Sequence, residues 1–309
     1  MAVDTYAQIW GRVLGFCPSA GALLAQRWTV DAFRRISERR TWSYLVKYNQ
    51  FILPQVYNTG TVSVTQGLTA VTGSGTTFSP SMVGRQFRIG NATPIYTIAS
   101  YTSATQIDLQ FPWGGASVAG SGYQIYLCYL TPATDFHAFI SVYDPNFNWQ
   151  LRLNVSQQEL NNWDAQRANT GQAYVVASYD YSPNFGSTPG LPRYEVWPHN
   201  LSNYVYPYLY ESRAQDLDEP GALLPRFIRG DLVMDMALES AAKWPGPSVD
   251  DPNPYYDLNL ADRIQKRNEY ELGQLERQDD ETFENMVAYA RNLEFFPWWD
   301  ARFMQDHAF

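Results

Sequence analysis

The chain has 309 residues, enough for two domains with a substantial core. Charged residues make up only 17% and aromatics 16%, which excludes a disordered chain and suits half-polar contact surfaces as well as cores. The formal net charge of −9 argues against a globally basic nucleic-acid binder.

The charge is uneven. Residues 1–56 carry seven basic side chains against three acidic ones, a net of +4. Residues 216–309 carry twenty acidic against nine basic, a net of −11. Ends of opposite sign attract each other within one chain, or between copies in a ring. Two cysteines, Cys17 and Cys128, and three scattered histidines supply neither a disulfide framework nor a metal site, and both thiols are expected to be buried. No apolar run approaches the roughly 18 residues of a membrane span. The first residues lack the basic and apolar regions of a signal peptide, so a chain made and folded in a reducing cytoplasm is expected.

In chain order, Val3, Tyr6, Ile9, Trp10, Val13 and Leu14 form one apolar stripe and predict a helix over residues 3–17, with Asp4 as N-cap. Pro18 opens a second helix predicted to run to Trp42. Its inner face is expected to carry Ala20, Leu23, Leu24, Trp28, Ala32 and Ile36, and its outer face Arg27, Arg34, Arg35, Arg39 and Arg40. That arginine run reads either as a solvated helix face or as a patch facing an acidic partner or passing DNA. Residues 43–57 are aromatic and extended. Residues 60–130 then alternate in short Val-, Ile-, Thr- and Tyr-rich runs between Gly, Ser, Asn and Pro clusters, the pattern of successive antiparallel strands. Gly73-Ser74-Gly75 lacks the Lys and following helix of a phosphate loop and reads as a turn.

Strands are predicted over residues 136–142, 150–154 and 173–178, and a strand pair over 193–211 with a turn near Asn200, with a short helix over 155–167 opened by the capping box of Ser156 and Glu159. Residues 216–220 read as an acidic linker, and Pro225 as the start of a helix to Trp244. Asp231 and Asp235 sit one turn apart on it; they read as a solvated edge, because no third ligand or His accompanies them. Asp250, Asp251 and Asn253 have the chemistry of a weak Ca²⁺ loop without EF-hand spacing, and so read as a turn. A long polar helix is predicted over residues 258–292. The chain closes on Phe295, Phe296, Trp298, Trp299, Phe303 and Phe309, an apolar segment that either packs on its own domain or meets a partner.

The runs Gly-Thr-Val-Ser-Val-Thr, Thr-Gly-Ser-Gly-Thr-Thr-Phe and Val-Gly-Arg-Gln-Phe-Arg-Ile, with Tyr-Thr-Ile-Ala-Ser-Tyr and Pro-Trp-Gly-Gly, resemble a β module of tailed-bacteriophage neck and tail proteins. The helical hairpin over residues 3–42, the inserted module and the late Leu-Pro-Arg-Phe-Ile helix ending in Ala-Leu-Glu-Ser-Ala-Ala-Lys-Trp resemble the phage head-to-tail adaptor family. That family is also called connector, head completion or tail tubular protein A-like. The similarity covers most of the chain and lies in module order and composition.

The resemblance implies an α+β fold: a helical frame (1–56 and 216–294), an inserted antiparallel β-sandwich or barrel module (57–130), a mixed β region (131–215) and an extended aromatic tail (295–309). It implies a structural virion protein of the neck, assembled in the host cytoplasm. It also implies a homo-oligomeric ring of about twelve copies under the portal protein, meeting a tail or nozzle protein. Double-stranded DNA would pass through without specific binding, no membrane or cofactor would be involved, and there would be no catalysis. The tail aromatics would bind portal, and Arg34, Arg35, Arg39 and Arg40 would form an interface patch. Two other readings compete: a receptor- or carbohydrate-binding tail or fibre protein, and a cell-wall hydrolase, which would need a carboxylate pair or a His-containing site in a cleft.

Overall fold

The computed structural model describes residues 4–90, 94–181, 190–248, 250 and 252–293, without the side chains of 154, 281 and 284–293. It is mixed α and β with antiparallel sheets, one of them curled into a half-barrel. The chain divides into two units: Met1–Lys47 with Glu211–Phe309, and Tyr48–Tyr210.

Helix α1 spans Tyr6–Phe16 and is capped by Thr5, not Asp4. The Thr5 hydroxyl accepts from Gln8 N while the Gln8 side chain accepts from Thr5 N, so two free donors are satisfied reciprocally. Asp4 instead pairs with Arg12. Carbonyls of Pro220 and Ala222 take up the N–H groups of Ala7 and Tyr6. The segment expected to be an acidic linker is therefore packed against α1, with Leu217 in the core.

Pro18–Ala20 makes a single 3-10 turn, and α2 spans Gly21–Ser37. The predicted extension to Trp42 does not form, because the chain turns after Ser37 to seat Trp42. Its buried indole N–H donates to Ile36 O at 2.7 Å.

Strand β1 (Val46–Leu53) leads into the second unit. Next come β2 (Thr61–Val64), β3 (Ala70–Ser74), β4 (Gln86–Arg88), β5 (Tyr96–Ser103), β6 (Gln106–Leu109), β7 (Val118–Ser121) and β8 (Gln124–Tyr126). They form one sheet in the order β7-β2-β3-β6-β5-β4-β8. Strands β7 and β8 are separated by two residues yet lie at opposite edges, so the sheet must curl. Tyr57 exchanges two 2.8 Å backbone hydrogen bonds with Ile125 of β8, and a few residues later the same chain pairs as β2 with β7. Gly60 makes this passage at φ 81, with its backbone against Ser74 and Gly75. Phe78, Phe87, Ile107, Trp113, Tyr123 and Ile125 fill the interior.

Strands β9 (Tyr129–Leu130), β10 (Phe136–Asp144), β11 (Trp149–Gln150) and β12 (Arg152–Val155) follow, then α3 (Gln157–Asp164) and strands β13 (Val175–Tyr181), β14 (Pro192–Trp197) and β15 (Tyr204–Ser212). They build two four-stranded sheets, β1-β15-β10-β11 and β12-β13-β14-β9. Strands β12 and β13 pair in parallel because α3 is the crossover between them. Tyr204, Tyr206, Tyr208 and Tyr210, at every second position of β15, enter one core with Phe51 and Phe136.

Helix α4 spans Gly230–Lys243, starting later than Pro225 because Pro225 opens only a turn, closed by Ile228 N to Pro225 O at 2.9 Å. Helix α5 spans Leu258–Leu293. The core of the first unit joins Ile9, Val13, Trp28, Phe33 and Ile36 to Val233, Met236, Leu272 and Leu275.

Candidate functional site

The aromatic residues Phe295, Phe296, Trp298, Trp299, Phe303 and Phe309 lie outside the described residues. The four arginines are brought together at the C-terminal end of α2, opposite α5 and the segment around Asp216. Arg34 Nη2 lies 2.8 Å from Asp216 Oδ1, and Arg35 Nη1 lies 3.7 Å from the buried Glu239 of α4. Arg39 reaches both Glu269 (2.8 Å) and Glu276 (2.5 Å). Arg40 reaches Asp280 (2.7 Å) and donates to the Glu276 carbonyl at 3.3 Å. Glu269, Glu276 and Asp280 are seven and four residues apart, so they lie along one stripe of α5.

At the centre of this seam Asp279 is fully buried. Its carboxylate accepts from Ser43 N at 3.1 and 3.2 Å and from the Ser43 hydroxyl, with Arg40 at 3.9 Å. The attraction between the basic start and the acidic end of the chain is thus used inside one chain at these arginines. Each guanidinium already has a carboxylate partner. A phosphate or an acidic partner protein would have to displace that carboxylate first.

Asp231 and Asp235 are both ion-paired. Asp231 pairs with Arg229, whose hydrogen bond holds the Asp231 carboxyl below its usual range, and Asp235 pairs with Arg267. Asn253 is buried and turned inward. Its amide donates to Ala241 O at 2.9 Å and Trp244 O at 2.8 Å, capping the end of α4, and its Oδ1 accepts from Tyr255 N and the Cys17 thiol. Its amide is therefore committed to the fold, and Asp251 lies outside the described residues. Among the described residues no group of three His, Cys, Asp or Glu side chains could hold a metal ion, and no helix is long and apolar enough to cross a membrane.

The second unit contains an ionic cluster that was not anticipated. Arg167 Nε lies 2.6 Å from Glu195 Oε1, and its other N–H groups go to Gln157, Asn161 and the Asp164 carbonyl. His199 lies 3.3 Å from the same Glu195 oxygen. Burial alone would raise the Glu195 carboxyl, but the hydrogen bonds with His199 and Arg167 outweigh it and hold the group below its ordinary value. Arg88 donates to the Arg167 carbonyl at 2.9 Å. Sequence carried no signal for it: alternation through Tyr194 and Val196 puts Glu195 on the opposite face, and Glu195 is buried because β14 is covered on both faces at its end. An open groove of about 500 Å³ beside this cluster is lined by Tyr129, Tyr179, Asn161 and Arg167. The Arg167 guanidinium is already spent on protein acceptors and is not free to hold an anion there.

The sequence matches no family model and no curated protein.

Proposed function

We propose that this chain is a structural virion protein, an adaptor that joins the portal vertex of a phage capsid to the tail and extends the DNA channel. One observation carries the reading: a helical unit built from both ends of the chain, with a β unit inserted between Lys47 and Glu211. That is the module order of the head-to-tail adaptors this sequence resembles. In this reading the helical unit is the frame that forms a ring of about twelve copies, as a heterologous contact allows. The half-barrel is the inserted module, and the aromatic segment 295–309 is an extended tail that grips portal. The net negative charge suits a channel through which DNA slides, because each cationic phosphate contact would add affinity and drag.

The test is binding to purified portal rings by full-length protein and by a chain lacking residues 295–309. The proposal expects the full chain to bind and the truncated chain to bind at least about tenfold more weakly. Equal binding would remove the tail assignment, and no binding by either would remove the adaptor reading.

A further inference from the structure

The groove beside the Arg167–Glu195 cluster is built from neutral polar groups. Helix α3 and its end supply the amides of Gln157, Asn161 and Gln166, and the sheet supplies the phenols of Tyr129 on β9 and Tyr179 on β13. Among the described residues, Arg167 is the one charged side chain in the lining. Its guanidinium is spent on Glu195, on the Asp164 carbonyl and on two of those amides. An anion would find no free cation here, and a cation no carboxylate, so a charged ligand would lose its water without gaining a partner.

The polar groups are also held in place. Arg167 Nη2 donates to Gln157 Oε1 at 2.9 Å and to Asn161 Oδ1 at 2.8 Å. That fixes both side chains and leaves the Asn161 NH2 group for a ligand. Groups already ordered by the protein bind without paying that ordering cost. Gln166 is exposed and brings donors and an acceptor of its own. The Tyr129 and Tyr179 rings stack at 3.8 Å and 9°, with the Arg193 guanidinium 5.5 Å over Tyr179. Their faces are thus turned to each other, and a ligand meets hydroxyl and ring edge. Pro94 and Ile95 add an apolar stretch to the lining.

This lining matches a ligand that is uncharged, rich in groups that both donate and accept, and apolar on one side. A sugar hydroxyl donates and accepts, as the phenols and amides do, and the C–H face of a pyranose ring is apolar. We propose that the groove binds a neutral oligosaccharide, with its hydroxyls on Asn161, Gln166 and the two phenols and its C–H groups against Pro94 and Ile95. A volume of about 500 Å³ is within the range of small-molecule sites, and the open shape admits a chain of sugars. Two other uncharged occupants fit less well. An extended peptide docks by adding to a sheet edge, and the edge strand here, β9, has two residues. A nucleobase stacks on an open ring face, and the faces of this tyrosine pair are turned inward. The inference does not depend on portal binding.

Calorimetric titration of the full chain tests it, with maltotetraose, chitotetraose and mannotetraose as neutral probes, tetragalacturonate as an anionic one, and a pool of uncharged hexapeptides. At least one neutral sugar is expected to bind with a Kd below about 1 mM. Ala165→Trp fills the groove from an exposed position with helical backbone, and should weaken that binding at least about tenfold. Gln166→Ala removes one amide and should weaken it about threefold or more. Circular dichroism with a melting curve checks that each variant folds, and Gln166→Trp replaces Ala165→Trp if that chain does not. Three results overturn the proposal: no neutral sugar binds, the filled groove binds the sugar as wild type does, or the anionic sugar or the peptides bind more tightly than every neutral sugar. The last result would give the groove to that other ligand class.

Discussion

In the helical unit, segments as far apart as Arg40 and Asp280 are tied together by ion pairs laid over an apolar core. In the half-barrel, backbone ladders and an aromatic interior do the same work with almost no charge. The difference lies in what each construction leaves outside. The helical unit spends its arginines on its own carboxylates. The half-barrel carries few charges, and it leaves Leu68 and Phe111 exposed. Charge asymmetry in a sequence therefore need not point to an outside partner.

That contrast can be broken in several ways. The largest expected effect is in the helical core. Trp42→Ala removes a fully buried indole and its hydrogen bond to Ile36 O, and should cost about 4 kcal/mol in denaturant unfolding. Asp279→Ala leaves Ser43 N–H unsatisfied and removes the buried counter-charge of Arg40, and should cost about 3 kcal/mol. The matched change in the half-barrel, Asp108→Ala, should cost under about 0.5 kcal/mol, because its partners are surface hydroxyls.

Backbone geometry dominates in the half-barrel instead. Gly60→Ala forces a side chain into a left-handed conformation and puts its Cβ 2.5 Å from Ser74 O, and should cost about 2 kcal/mol or more. The buried contribution to the pH dependence lies in the β unit. The Glu195 carboxyl sits below its ordinary 4.5 in the folded chain, so its stabilisation is complete above that value. It is lost as pH falls through the lower folded value, so the melting temperature should drop in that acid range and do so less in Glu195→Gln. The outer ion pairs of the seam contribute little. Arg39→Ala should cost under about 1 kcal/mol, a difference that shrinks with added salt.

Much of the helical architecture was legible in the sequence. Helix α5 was expected over residues 258–292 and spans Leu258–Leu293, because a long run without Pro between sparse apolar positions admits little else. Ser156 was read as a helix N-cap, and its hydroxyl accepts from Glu159 N. The misreadings share a cause: local signals cannot weigh competing partners. Asp4 is as good a cap as Thr5 until Arg12 claims it. Helix α2 continues in sequence past Ser37, but the indole of Trp42 is better placed by a turn. The strands of the half-barrel were legible from alternation, but their order was not, since nothing local places β7 and β8 at opposite edges. The Arg167–Glu195–His199 cluster joins α3's end to the segment around β14, and the alternation through Tyr194 and Val196 pointed Glu195 the other way, so nothing local hinted at it. The arginine run was legible as a patch; that its partners lie on α5, α4 and the Asp216 segment was not.

The most direct test of the adaptor proposal is negative-stain imaging of the purified protein mixed with portal rings. The proposal predicts a collar of about twelve copies on one face of the portal, coaxial with its channel, as closed cyclic symmetry requires. Portal rings left bare at saturating protein, or particles decorated without a closed coaxial ring, would contradict it.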